Sequence, residues 1–393
     1  MKNKLTEYAA MELHCQSRRT RGIVASFVGL VLISYMLRGL VAPWSYGFFN
    51  YTINWLHGYI ARGFLGTILH LVFGELAWSQ TFLTLLQYGM EFLLLGYLLY
   101  MIYRLFYREF HVGAMLPFIV FTTSTFSMFY FQEIGFLDHW VYLYIAIFLE
   151  IALKCQAKTV LIWGGIFSIL TVLTLSTGAF AGCPVIASIT AIRLVREEDR
   201  LTLDHIRRLV ITFVPTVLFI LIFQYIPTSP QAVDTVWEKF NTMPYGAHQM
   251  DFIFEIFRSN AIASPLADTW IYFEPAVVGY MVLLIALTLL YLYFTKASSL
   301  MMGLYAMLSA ASGLMGYATN YIAADYHRYY FMAVFSIFLI SLYVLRLPRK
   351  QKLKIWQLVV MLVVVALILP DIFGYRLWAW NRTYRDFWFM RFF

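Results

Sequence analysis

The stretch Tyr321-Ile322-Ala323-Ala324-Asp325-Tyr326-His327-Arg328-Tyr329-Tyr330 sets an acid, an imidazole and a guanidinium within four residues, between two long apolar runs. Asp325 or His327 in that setting is a candidate general base, and Arg328 is a candidate phosphate ligand. A simpler role also fits, with Asp325 capping the next helix and Arg328 and the tyrosines anchoring it at lipid headgroups. A second group, Gln132-Glu133-Ile134-Gly135-Phe136-Leu137-Asp138-His139-Trp140, places two carboxylates and a histidine around a bend at Gly135. Partly sealed from water, one of Glu133 and Asp138 would keep its proton while the other stayed ionised, the division that acid–base chemistry needs. Asp138 also suits a helix cap. The third group runs Trp55-Leu56-His57-Gly58-Tyr59-Ile60-Ala61-Arg62-Gly63-Phe64-Leu65-Gly66. There the small neighbours of Arg62 leave its planar fork open to phosphate oxygens, or free it to snorkel towards headgroups.

Two ionisable residues fall inside apolar runs, where charge is costly and faces an interior or a cavity. Arg38 lies about one turn from the end of the first run and can snorkel. Glu91, one turn after Gln87, sits mid-run and is expected to make an interhelical hydrogen bond or ion pair, or to line a proton or substrate path. Ser176-Thr177-Gly178-Ala179-Phe180-Ala181-Gly182-Cys183-Pro184 is expected to break the helical pattern.

The elements that must position these groups are apolar helices. Hydrophobic residues make up 61% of the 393 and charged residues 13%, with a mean hydropathy of +0.71; soluble domains are roughly half apolar and a quarter charged. Spans of about 17–25 residues are expected at 22–42, 80–104, 113–131, 139–153, 159–177, 183–195, 209–226, 275–295, 299–316, 328–346 and 355–372. The fold class is therefore all-α, a polytopic transmembrane bundle of about eleven spans forming a single membrane domain over 1–393. Alternation leaves 1–21, 104–112, 154–158, 193–208, 296–298 and 346–354 on one side, and these hold 20 of the 29 Lys and Arg. Basic residues stay inside, so the N-terminus is expected in the cytoplasm and the C-terminus outside. Residues 1–21, a cytoplasmic tail, lead into an uncleaved first span.

The net charge of +8 follows from that topology and does not point to nucleic acid. Cys15, Cys155 and Cys183 are scattered, with no spacing for a disulfide framework or zinc. Neither a bound metal nor a cofactor is expected. The chain has no GxxxxGK[ST], HExxH or GxSxG. The outer face collects the uneven pieces: an interfacial segment at 43–79, the hairpin mouth at 132–138, a 227–274 loop, the 317–328 turn and an aromatic tail at 373–393. Within the loop, 231–241 and 248–258 have helical potential and suit a lid, while Glu255 and Arg258 form an ordinary local pair.

The 55–66 segment, the acid hairpin at 133–138 and Asp325-Tyr326-His327-Arg328-Tyr329 together resemble bacterial multispanning proteins of surface-polysaccharide assembly, namely O-antigen and capsule polymerases and GT-C-type glycosyltransferases. The resemblance implies a bacterial inner-membrane location and chemistry on a polyprenyl-phosphate-linked saccharide at the outer face, with other polysaccharide-assembly membrane proteins as partners. It implies Arg62 and Arg328 on the phosphate, and Asp138, Glu133, Asp325 and His327 as the acid–base group. Glu91, His57 and His139 would line the cavity. A different class stays open on the residues alone: a carrier or flippase for a lipid-linked or anionic solute, with no chemistry. A third, a non-catalytic assembly partner, predicts no single residue whose loss is severe.

Overall fold

Apolar chain that leaves water folds as helix because a helix satisfies its own backbone groups, and the described residues follow that rule. The computed structural model describes residues 18–39, 43, 45–60, 62–109, 112–122, 135–175, 177–245, 275–319, 326–347 and 353–373. They form α1 (Arg18–Gly39), α2 (Ser45–Thr52), α3 (Gly63–Phe73) with a 3₁₀ turn at Gly74–Trp78, and α4 (Gln80–Ile102), which continues as a π-type turn at Tyr103–Arg108. Then come α5 (Val112–Thr122), α6 (Asp138–Lys154), α7 (Ala157–Thr174), α8 (Gly178–Glu198), α9 (Leu203–Tyr225) and α10 (Pro230–Asn241). The last four are α11 (Pro275–Phe294), α12 (Ser299–Ala318), α13 (Tyr326–Leu345) and α14 (Ile355–Phe373). No β-strand occurs among the described residues.

Six helical segments are long and apolar enough to cross a membrane by length and composition: Gln80–Arg108, Ala157–Thr174, Gly178–Glu198, Leu203–Phe223, Val277–Phe294 and Ser299–Ala318. Gly63–Trp78, Tyr329–Leu345 and Trp356–Val365 are shorter apolar helices. The bundle is organised around α13, in which every residue from Tyr329 to Leu345 is buried. It packs on α5, α6, α8, α11 and α12, which is why its sequence is apolar on all sides. Tyr329 and Tyr330 therefore belong to the core rather than to a headgroup belt, and Tyr330 packs on Tyr317 at 5.3 Å between ring centres.

The opposite extreme is α9, of whose apolar window only 6% is buried. It leans on α7 and α8 and turns Leu203, Val210, Ile211, Val214, Val217, Leu218, Leu221 and Ile222 outward. Leaving such side chains in water forfeits on the order of 10–25 kcal/mol at the usual 1.5–3 kcal/mol each, as much as the whole stability of a domain. Lipid removes that cost, so this face is in contact with a bilayer.

One expectation holds only in part. The helical pattern does break after Thr174, but α8 resumes at Gly178 and runs continuously through Pro184, so the break is shorter than the expected 176–184. Its small residues serve close packing instead. A Cβ on Gly178 or Gly182 would sit 2.7 or 2.5 Å from Cγ2 of Thr171 on α7, so both glycines let α8 press against that helix.

Candidate functional site

The hairpin mouth before α6 is held by small and polar groups. Gly135 has φ 92°, and a Cβ there would lie 2.6 Å from both Oε1 of Gln87 and Cα of Gly47, so only glycine fits between α2 and α4. Asn50 on α2 donates its amide to the Gly135 carbonyl at 3.3 Å. Leu137 stands at the N-cap of α6, and Asp138 is the first helical residue rather than the cap. At 3% exposure Asp138 is buried where the positive end of the helix dipole favours a carboxylate.

His139 follows directly. Its Nδ1 lies 3.1 Å from the Phe136 carbonyl, which can only accept, so Nδ1 carries a proton. Its Nε2 faces Oε1 of Glu91 at 3.0 Å, with the two side chains 3% and 1% exposed. At that separation the pair is either imidazolium and carboxylate or imidazole and carboxylic acid. Sealed from water, separate charges are expensive and the pair holds together. The two titratable groups thus form a buried acid–base pair.

Tyr51 of α2 closes the group, accepting at its hydroxyl from Nε1 of Trp140 at 3.1 Å. Burial pushes its phenol up most; the Trp140 hydrogen bond offsets part of this, and Glu91, Tyr144 and Asp138 push it further up. Tyr51 thus keeps its proton. Gln87, one turn before Glu91 and 1% exposed, makes no hydrogen bond with either polar atom of its amide. A buried amide left without partners marks a place for a water or a ligand's polar group.

The cluster is deep. Glu91 lies eleven residues beyond Gln80, about 16 Å along α4 at 1.5 Å per residue, or half of a 30 Å hydrocarbon core. It nevertheless meets the second residue of α6, so the hairpin mouth is recessed into the bundle. Two segments cover it. Ser229 caps α10 through the Ala232 N–H at 3.3 Å, Pro230 fills the first turn, and Ala232, Val233, Val236 and Phe240 turn inward. Phe240 meets Phe49 edge-on at 5.8 Å, and Tyr245 stacks on Phe48 at 4.6 Å, laying α10 and the turn after it over α2. Lys239 clamps both oxygens of Glu75 at 2.8 and 2.7 Å and lies 4.8 Å from the Trp78 ring. Its hydrogen bond and charge hold the Glu75 carboxyl below the usual range. Tyr245 donates to the Trp78 carbonyl at 2.9 Å, and the Ser229 N–H to the Tyr59 carbonyl at 2.8 Å. Aromatic α2, expected at an interface, is buried because α10 covers it.

Arg62 is the left-handed residue (φ 66°) that opens α3, and it is half-buried. Its turn is fixed by the Trp55 N–H on Thr67 Oγ1 at 2.8 Å and Trp55 Nε1 on the Ile60 carbonyl at 2.7 Å. A Cβ on Gly66 would collide with the carbonyl of Ile53 and come within 2.9 Å of that of Tyr51, so α3 rides on the segment that carries Asn50 and Tyr51. His57 is exposed in that turn. Half-buried His70 has its pKa pushed down by its partial burial, and its Nδ1 donates to the Gly66 carbonyl at 2.7 Å.

The structure brings Glu91, His139 and Asp138 into one neighbourhood. His327 and Arg328 stand in the first turn of α13. Glu133, Asp325, the 248–258 segment and the tail beyond 373 lie outside the described residues, as do Cys15 and residues 1–17. Sequence reasoning did not place Asn50, Tyr51 or Trp140 here; the signal was an Asn and a Tyr in an aromatic octapeptide too short to span. It also missed an ion pair away from this cluster, where Arg346 meets Glu150 through both guanidinium nitrogens, the longer contact 3.4 Å, and Lys154 joins at 3.1 Å. That pair ties the last turn of α6 to the residue just after α13. No group of three or more metal-binding side chains occurs among the described residues.

Fold and cluster together define a multi-pass α-helical membrane protein with a buried acid–base group beneath a helical cover. Compared with protein-family models, with curated proteins and with solved structures, the chain matches none.

Proposed function

We propose that this chain is a bacterial inner-membrane glycosyl-transfer protein of about eleven spans, with its N-terminus inside and α2, α3 and α10 at the outer face. It takes a sugar or oligosaccharide from a polyprenyl-phosphate carrier in surface-polysaccharide assembly, as a polymerase or a GT-C-type transferase. The observation that carries this reading is the sealed cluster of Asp138, His139 and Glu91 around the unpartnered amide of Gln87. In the reaction the acceptor hydroxyl gives its proton to the base as its oxygen bonds the anomeric carbon, and the bond from that carbon to the phosphate oxygen breaks. The phosphate leaves with the electron pair. Asp138 or Glu133 is the base, the Glu91–His139 pair receives or returns the proton, and Arg62 and Arg328 offset charge on the departing phosphate. Asp325 and His327 orient that machinery, and Gln87 offers its amide to a sugar hydroxyl.

The test is purified protein in liposomes with a polyprenyl-diphosphate oligosaccharide, read by mass spectrometry of the glycans. Wild type forms a new glycosidic bond, and Asp138→Asn and Glu91→Gln lower the rate by about 10²-fold or more, the usual worth of acid–base catalysis. Wild-type protein that joins no saccharide, alone or with membranes of the deletion strain, refutes the enzyme.

One observation favours the carrier reading: the polar group lies about 16 Å along α4, at mid-depth rather than at a surface. In the same liposomes a carrier moves lipid-linked saccharide between leaflets with its mass unchanged.

A further inference from the structure

A second feature lies away from the acid–base cluster. Between α1 and the end of α4 runs an apolar groove of about 540 Å³, lined by Gly22, Ala25, Ser26, Gly29, Leu30 and Ile33 on one side and Leu99, Ile102, Tyr103 and Tyr107 on the other. Small side chains on α1 set its width: a Cβ on Gly22 or Gly29 would come into ordinary contact with Tyr107 or Leu99 on the far wall, at 3.8 or 3.6 Å. The π-type turn makes the far wall. Its wider hydrogen bonding, with the Glu109 N–H on the Arg104 carbonyl at 2.9 Å, sets Tyr103 and Tyr107 in a stack at 5.5 Å.

Length and charge say what fits. From Gly22 to Ile33 the groove follows α1 for about 16 Å, close to the 15 Å of one leaflet's hydrocarbon. Its basic end has Arg18 one turn before Gly22 on the same face, Arg19 beside it, and Arg108 directly after Tyr107, all three exposed. Arg104 is already engaged by Glu109 and by the Tyr100 hydroxyl, so the positive field at the mouth comes from the exposed Arg18, Arg19 and Arg108, with half-buried Arg21 directly before Gly22 adding to it. Tyrosines at that level are the amphipathic rings expected where chains meet headgroups.

We propose that this groove is a binding site for an anionic phospholipid of the basic-side leaflet, with one acyl chain laid along α1 between Gly22 and Ile33 and the phosphate between Arg18, Arg19 and Arg108. The site is separate from the proposed glycosyl-transfer chemistry and stands without it.

Full-length protein in detergent, titrated with phosphatidylglycerol or phosphatidylcholine and read by native mass spectrometry, tests it. Wild type binds phosphatidylglycerol at least tenfold tighter. Each of Arg18→Ala, Arg19→Ala and Arg108→Ala lowers that affinity about fivefold, the worth of one basic side chain near a charged surface, and leaves phosphatidylcholine binding unchanged. Ser26→Leu, an exposed position on the groove wall, removes binding of both lipids while the melting temperature holds. Equal affinity for the two headgroups overturns the proposal. So does retention of lipid by Ser26→Leu, or a Ser26→Leu effect confined to dimer content, which would make the groove a contact between copies. Lipid binding that appears only after removal of residues 1–17 would hand the groove to the chain itself and also overturn it.

Discussion

The Glu91–His139 pair gives the sharpest test of the buried cluster. Exchanging either residue alone for leucine leaves the other's polar group buried and unmatched, which costs about 3–5 kcal/mol. Exchanging both removes the mismatch. Apolar replacements of whole buried pairs are neutral or better, so the double variant should lose only the His139 Nδ1 hydrogen bond to Phe136, about 1 kcal/mol. The singles thus sum to about 6–10 kcal/mol against about 1 for the double, a coupling of at least several kcal/mol from a 3.0 Å contact sealed from water. Equilibrium unfolding in mixed micelles, followed by circular dichroism for the four proteins, measures it. Additive losses, with coupling under about 0.5 kcal/mol, would refute the pairing and the recess inferred from it.

Three further outcomes are expected. Arg346→Ala, which leaves Glu150 with Lys154 alone, should cost about 1.5–3 kcal/mol, and Arg346→Lys should recover only part because an ammonium cannot match the two-nitrogen contact; the same unfolding assay measures both. Gly66→Ala, which drives a methyl into the Ile53 carbonyl, should cost about 1–3 kcal/mol or more by overpacking. Gly89→Ala, where nothing stands within 4 Å, should instead gain about 0.5–1 kcal/mol. Below pH 7 the unit built from α3 and α10 should loosen. His70 has a depressed pKa, so the unfolded chain takes up the proton first and stability falls as the pH drops through the free histidine value. Glu75, also depressed, loses its contribution in the same way at lower pH, as the pH falls from the free glutamate value through its lowered one. His70→Asn, which keeps a donor towards the Gly66 carbonyl, should flatten the upper part of that melting curve.

Helices were legible because apolar runs have few alternatives in lipid; α10 was expected at 231–241 and lies at Pro230–Asn241. Glu91 was legible as a costly mid-run charge in search of a partner. Its partner was not, because His139 belongs to a hairpin mouth whose depth depends on Gly135 wedging between α2 and α4, a tertiary fact with no local signal. The glycines of α8 misled for the same reason, since a small residue marks a loosened backbone and a close helix contact alike. The π-type turn at Tyr103–Arg108 shifts the hydrogen bonds by one residue without any change in composition that could announce it. Glu150 and Arg346, each unremarkable as a helix end, gain meaning only together.

The cover over the cluster is made from two stretches of chain far apart in the order of synthesis. Lys239 closes on Glu75 across 164 residues, which a ribosome adding 5–20 residues per second takes about 10–30 s to make. Through that interval Phe48 and Phe49 have no α10 above them, and the polar cluster, complete once His139 is made, stays uncovered until α10 follows. Maturation of this protein therefore has a built-in delay, in which helices already made wait for a later segment to close over them.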